Sequence, residues 1–152
     1  SLRMVYNRAK QICNLRINGK VFDIDMDKNK ESVIVTAMPQ RLEQVWIVLL
    51  NNALDEFSSS KLPFESRFID VEVSETLDKI EVFFKDNAGG IDDSILPHIF
   101  EIFKSSKPQS GMGVGLNIAH SIVEAHEGNI GAYNIDGGAV FKIELPKKQL
   151  GV

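Results

Sequence analysis

Residues 47–57 read Ile-Val-Leu-Leu-Asn-Asn-Ala-Leu-Asp-Glu-Phe. The stretch has the spacing of a buried helix, yet it sets two asparagines side by side. Asparagine is a mediocre helix former and is costly to bury without partners. Upstream, Leu42, Val45, Trp46 and Leu49 recur at helical spacing behind Pro39, which suits a helix start. Asn52 follows Val45, Val48 and Leu49 by seven, four and three residues, so it falls on the apolar stripe and faces inward. Asp55 and Glu56 lie one turn further on the same side, whereas Asn51 points about 100° away, toward solvent. Two readings of Asn52 stand. It is a satisfied core amide, or it supplies an amide oxygen, followed by carboxylates, to a hard cation such as Mg2+.

Outward from this helix the pattern changes to period two. Ile69, Val71 and Val73 alternate with Asp70, Glu72 and Ser74, and Ile80, Val82 and Phe84 alternate with Glu81, Phe83 and Lys85. These predict adjacent strands joined by a turn near Asp78. Residues 130–135 and 139–145 predict two more strands across a glycine turn. Residues 116–125 predict a helix, and a short helical stretch carries Phe100 and Phe103. Residues 104–112, polar and glycine-containing, predict a mobile loop. Nearer the start, residues 2–14 predict an amphipathic helix, Asn18-Gly19 a turn, and residues 22–26 and 32–37 short strands. Hairpins mixed with helices predict an α+β chain, a helical layer on a mostly antiparallel sheet.

The length of 152 residues suits one domain over 1–152, with no repeat and no linker. A hydrophobic fraction of 43% supports a core, and a net charge of -4 argues against nucleic-acid binding. No apolar run approaches the roughly 20 residues of a membrane span, so this domain is expected to make no membrane contact. The one cysteine, Cys13, allows no internal disulfide. The expected location is cytoplasmic, with a membrane-anchored parent left open.

Two further motifs carry chemistry. Asp86-Asn-Ala-Gly-Gly-Ile91 follows a strand. Its glycines make either a turn or a place where a ligand approaches the backbone. Its aspartate suits an exocyclic amine such as that of adenine, and would repel phosphate. Ser110-Gly-Met-Gly-Val-Gly-Leu116 opens a helix, where bare N–H groups and the helix dipole form an anion cradle. It is neither the dinucleotide fingerprint, since Ile118 stands at the third glycine, nor a P-loop.

Taken in this order, the motifs resemble the ATP-binding catalytic domain of sensor histidine kinases, of the ATPase superfamily that includes gyrase, Hsp90 and MutL. Residues 41–57 look like the N box, 86–91 the G1 box, 99–103 the F box, 104–110 the ATP lid and 110–116 the G2 box. The likeness runs from about residue 15 to 146, and Asn-Ala-Leu-Asp at 52–55 is similar to the nitrogen-regulation and C4-dicarboxylate sensors. The resemblance implies a Bergerat-type two-layer α/β sandwich, with helices on one face of a mixed sheet. It implies ATP and Mg2+ as ligands, with Asn52 on the metal, Asp86 on the adenine amino group and Gly90 making room. Asp55, Ile91, Val114 and Leu116 join the ATP site. Phe100 and Phe103 pack the lid, Lys104 and Lys107 meet phosphates, and Gly111, Gly113 and Gly115 wrap them. No residue of the chain itself is expected to be the phosphoacceptor. The implied partners are the chain's own dimerisation domain, which carries that histidine, and a response regulator.

Three positions depart from the family pattern. Val48 stands where kinases usually carry Asn and hydrolytic relatives a Glu base, so it cannot activate water. Ala88 replaces the first glycine of G1, and Ala139 replaces a Thr near the base-reading aspartate. A serine kinase of the anti-sigma-factor type and a nucleotide-deficient adaptor remain alternatives. Asp23-x-Asp25-x-Asp27-x-Asn29 imitates half an EF-hand, but Lys28 and Ile34 stand where Gly and Glu are required. His98, His120 and His126 lack metal-ligand spacing and read as structural, and Trp46 reads as core.

Overall fold

The computed structural model describes residues 23–26, 38–58, 60–63, 66–101 and 112–147. The helix predicted over 2–14, the turn at Asn18-Gly19, the strand over 32–37 and the lid lie outside the described residues.

Helix α1, Pro39–Ser58, is the long helix of the asparagine stretch. The Met38 carbonyl accepts from the N–H groups of Arg41 and Leu42 at 3.0 and 3.1 Å, so Pro39 takes the first helical position. There its fixed φ and missing N–H are no handicap. The Ser58 hydroxyl donates to the Asp55 carbonyl at 2.5 Å and satisfies one of the last-turn acceptors.

The sheet joins β1 (Asp23–Met26), β2 (Phe68–Glu75), β3 (Lys79–Asp86), β4 (Asn129–Ile135) and β5 (Gly138–Pro146) in the order β1-β2-β3-β5-β4. β1 runs parallel to β2 and the other pairings are antiparallel. The inner face presents Ile69, Val71, Val73, Ile80, Val82, Phe84, Phe141, Ile143 and Leu145 to the core. α1 covers this face together with helix α2, Met112–Ala125, through Trp46, Leu50, Phe57, Leu116, Ala119 and Val123. Trp46 is fully buried and meets Phe84 edge-on, ring centroids 5.5 Å apart. The outer face carries ion pairs instead. Lys142 Nζ lies 3.1 Å from Glu144 and 3.2 Å from Glu81, and Lys85 Nζ lies 2.9 Å from Glu72.

Two predicted elements differ. The short helix after the glycine loop is a turn leading into a 3-10 helix, Leu96–His98. Asp92 competes for the backbone here, its Oδ1 accepting from the Ser94 N–H at 2.8 Å and the Ser94 hydroxyl at 2.6 Å. Pro97 then lacks the N–H an α-helix would need next. The second correction concerns α2, which begins at Met112 and not at Leu116. Gly113 and Gly115 therefore lie within its first turns. The first N–H groups of a helix have no internal partner, so glycine there costs only propensity.

α2 ends in a Schellman turn. Gly128 N–H donates to the Val123 carbonyl at 3.0 Å and Glu127 N–H to the Glu124 carbonyl at 2.9 Å, with Glu127 left-handed at φ 61°. A Cβ on Gly128 would come within 2.3 Å of the Glu144 carbonyl oxygen, so the chain passes β5 too closely for any side chain there.

Candidate functional site

β-Sheet register sets Ile69, Asp86, Ala139 and Asn134 in one row across β2, β3, β5 and β4. Asp86 ends β3 and is 5% exposed. Its Oδ1 accepts from the Ala88 N–H at 3.0 Å, and the Ala139 N–H also donates to the carboxylate. Burial pushes its pKa above the ordinary aspartate value, the two N–H groups oppose this, and the charge of Glu56 adds to it. Ala139 thus stands beside Asp86, where the sequence anticipated it.

The loop after Asp86 is held by the β4–β5 hairpin. Gly89 N–H donates to the Gly137 carbonyl at 3.1 Å. Asn134 Oδ1 accepts from the Ile91 N–H, and its Nδ2 donates to the Ile91 carbonyl, both at 2.7 Å. Gly90 adopts φ +85°, a conformation side chains rarely take, and a Cβ there would meet Asn134 Oδ1 at 3.2 Å. Ala88 and Ile91 pack on the edge of the core.

On α1, Asn52 is 5% exposed, and its Oδ1 is buried with no hydrogen-bond partner. Asn52 and Asp86 are the buried polar side chains among the described residues. Of the two readings, a satisfied core amide does not hold for that oxygen. An orphaned inward amide oxygen fits a hard cation. Among the described residues no group of three His, Cys, Asp or Glu could cage a metal. Asp55 and Glu56 are half-buried, and so is Asn51, which is not the solvated residue its helical angle predicted. Asn51 has interaction partners of its own within the fold.

The α2 end of the site approaches α1 at Val48, one turn before Asn52. A Cβ on Gly115 would lie 3.6 Å from Val48 Cγ1. At the other side Glu56 is near enough to act on Asp86. Asn52 thus sits between the glycine-bearing helix and the buried aspartate, along roughly 12 Å of helix at 1.5 Å per residue. Gly113 and Val114 belong to the first turn of α2, and Leu116 is 1% exposed in the core. Lys104, Lys107, Gly111 and Phe103 lie outside the described residues.

Phe100 packs against the core, stacked on His120 (centroids 5.6 Å) and edge-on to Phe141 (6.2 Å). Asn117 Nδ2 donates to its carbonyl at 3.0 Å. Asn117, His120 and Asn134 were not singled out for the site from sequence, since each acts on a segment far away in the chain. Asn134 had a usable signal. Counting back across the Asp136-Gly137 turn sets it opposite Ala139, already suspected of adjoining Asp86. The other histidines make contacts within the fold: His98 faces Glu101 at 3.2 Å, and His126 accepts from the Met38 N–H at 3.1 Å while its Nδ1 meets the Ile122 carbonyl at 2.8 Å. A groove of about 260 Å3 between the start of α1 and the second half of α2, lined by Met38, Arg41, Ile118 and His126 among others, contains none of the site residues named above.

A mixed sheet covered on one face by helices, with a buried aspartate at a strand end and glycines in a helix start, defines the ATPase-type α/β sandwich. The chain belongs to the histidine kinase-, DNA gyrase B- and HSP90-like ATPase family, whose pattern matches residues 37–149. It is 36% identical to sensor protein FixL of Bradyrhizobium diazoefficiens over 114 residues, 74% of this chain and 22% of that protein. It is 30% identical to the C4-dicarboxylate transport sensor DctB of Rhizobium meliloti over 147 residues, 97% of this chain and 23% of that protein. It therefore spans about a fifth of such relatives. The catalytic domain of histidine kinase ThkA matches with a TM-score of 0.79 at 26% identity, over 97% of this chain and 95% of that one. Among the described residues no helix is long and apolar enough to cross a membrane.

Proposed function

We propose that this chain binds Mg-ATP and delivers the γ-phosphoryl group to a histidine on a separate dimerisation domain, in two-component signalling. The observation that carries the reading is that the two buried polar side chains among the described residues, Asn52 and Asp86, are the ones an adenine nucleotide with its metal would need. The Asp86 carboxylate would accept from the exocyclic amine, and Gly90 and Ile91 would border the base. Asn52 Oδ1, orphaned in the core, would hold Mg2+, which offsets phosphate charge. Gly111, Gly113 and Val114 would bring bare N–H groups to the phosphates, Gly115 and Leu116 would seat the helix start behind them, and Lys104 and Lys107 would add charge. Asp55 would support the metal end and Phe100 the edge of the lid.

Transfer forms a bond from the acceptor imidazole nitrogen to the γ-phosphorus. It breaks the bond to the β–γ bridging oxygen, which leaves with its electron pair on ADP. The imidazole is its own nucleophile, so Val48 in place of a polar group is compatible with this chemistry. Relatives named as sensor proteins and histidine-protein kinases support histidine over serine as acceptor. A response regulator as the next partner is supported by ThkA, whose structure was solved in complex with its regulator TrrA.

The test is calorimetric titration with a non-hydrolysable ATP analogue, with and without Mg2+, on wild type and Asp86→Asn. Binding strengthened by Mg2+ and lost in the variant supports the reading. Absence of binding in every condition moves it to an adaptor. Acid-labile phosphate on an added dimerisation domain, and none on this chain alone, completes the assignment.

A further inference from the structure

We infer that Asn134 is a positioning residue for base recognition, setting the loop over 87–91 against the row that holds Asp86. The inference rests on the nucleotide reading above and adds a determinant contributed by the far strand of the sheet.

The argument is geometric. The loop leaving Asp86 must present a recognition edge of fixed height, because a hydrogen bond weakens steeply once distance or angle drifts. Glycines at 89 and 90, at φ +106° and +85°, make this loop soft by themselves. Asn134 offsets that softness. One amide group engages both polar atoms of one peptide residue, accepting from Ile91 N–H and donating to Ile91 C=O at 2.7 Å each. Few side chains can do this, since it needs a donor and an acceptor side by side. The same Oδ1 lies 3.2 Å from the Cβ position of Gly90, so the amide also bounds the loop sterically. Asn134 sits opposite Ala139, whose own N–H donates to Asp86. The clamp and the carboxylate are therefore referenced to the same strand, β5.

Asn134 is exposed on an edge strand, so its replacement leaves the core intact. A residue that only steadied the fold would change thermal stability and weaken all nucleotides alike. A residue that positions the loop changes discrimination between bases. The experiment compares ATP with inosine triphosphate, in which the exocyclic amine is replaced by a carbonyl oxygen that the Asp86 carboxylate repels. Wild type, Asn134→Ala and Asn134→Asp are titrated, with melting curves alongside. The expected result is that ATP affinity falls by about 5- to 10-fold in Asn134→Ala, the equivalent of one lost net hydrogen bond. Inosine triphosphate affinity changes less, so the selectivity ratio shrinks. Asn134→Asp, which sets an oxygen against the Ile91 carbonyl, shrinks it at least as far. A ratio equal to wild type in both variants overturns the inference and leaves the nucleotide reading standing. A wild type that binds neither nucleotide overturns both.

Discussion

Val48 lies against Gly115, its Cγ1 and Cγ2 at 3.6 and 3.9 Å from the place a Cβ on Gly115 would take. Those are ordinary van der Waals distances, so alanine fits without moving either helix. Alanine inside a helix is favoured over glycine by about 0.5–1 kcal/mol. Gly115→Ala is therefore expected to raise Tm by roughly 2 °C. If phosphates must approach the start of α2 closely, the added methyl weakens binding of a non-hydrolysable ATP analogue. A lower Tm contradicts the packing argument, and unchanged affinity removes Gly115 from the phosphate site.

Asn52 sets stability against function in the same way. A buried carbonyl oxygen without a partner costs about 1–3 kcal/mol. Asn52→Leu keeps much of the side-chain volume and removes that oxygen. The variant is expected to be more stable than wild type by about 1–2 kcal/mol in urea unfolding without nucleotide. It should also lose any Mg2+ dependence of nucleotide binding. A destabilised variant would mean that the amide is satisfied within the core.

Asp86 gives a pH dependence with a definite sign. Burial, then the nearby Glu56 charge, raises its pKa, against the N–H groups of Ala88 and Ala139. A carboxyl whose folded pKa exceeds its unfolded value holds its proton more tightly when folded. Its contribution favours folding fully below the unfolded value of about 3.9 and is lost as pH climbs through the raised folded value. Asp86→Asn does not titrate. Measured against it, wild-type Tm should fall over that window and stay flat above. Adenine recognition needs the carboxylate, so ATP affinity should rise over the same window. Parallel changes in both would show that Asp86 does not read the base.

Much of this arrangement was legible because it is local. The period of residues 42–57 specifies α1 and turns Asn52 inward, alternation specifies β2 and β3 with their facing sides, and the glycine turn between apolar runs specifies β4 and β5. Asp86 and the glycines announce themselves by type and spacing. What spacing could not reveal is contact across the fold. His120 stacks on Phe100, Asn117 holds the Phe100 carbonyl, and Asn134 holds Ile91 across a separation of 43 residues. The short helical stretch expected after the glycine loop is a 3-10 helix that ends before Phe100. Asp92 and Pro97 decide the local backbone there.

Glu127 is the last position where the sequence departs from what the backbone asks. It occupies the left-handed C′ site of the Schellman turn at φ 61°, where glycine is the usual residue. A residue with a Cβ in that conformation costs about 1–2 kcal/mol relative to glycine's free access. Glycine gives part of this back through the greater entropy of the unfolded chain. Glu127→Gly is therefore expected to stabilise by about 0.5–1 kcal/mol, a rise of roughly 2 °C in Tm. The position ends a helix whose glycine-bearing start is about 20 Å away at 1.5 Å per residue. Nucleotide affinity should then be unchanged, which separates this variant from Gly115→Ala. Gly128→Ala, one residue on, is expected to do the opposite, because its Cβ would collide with the Glu144 carbonyl. Melting curves of the two variants side by side test the turn. A destabilised Glu127→Gly would mean that the Glu127 side chain contributes more than its backbone strain removes.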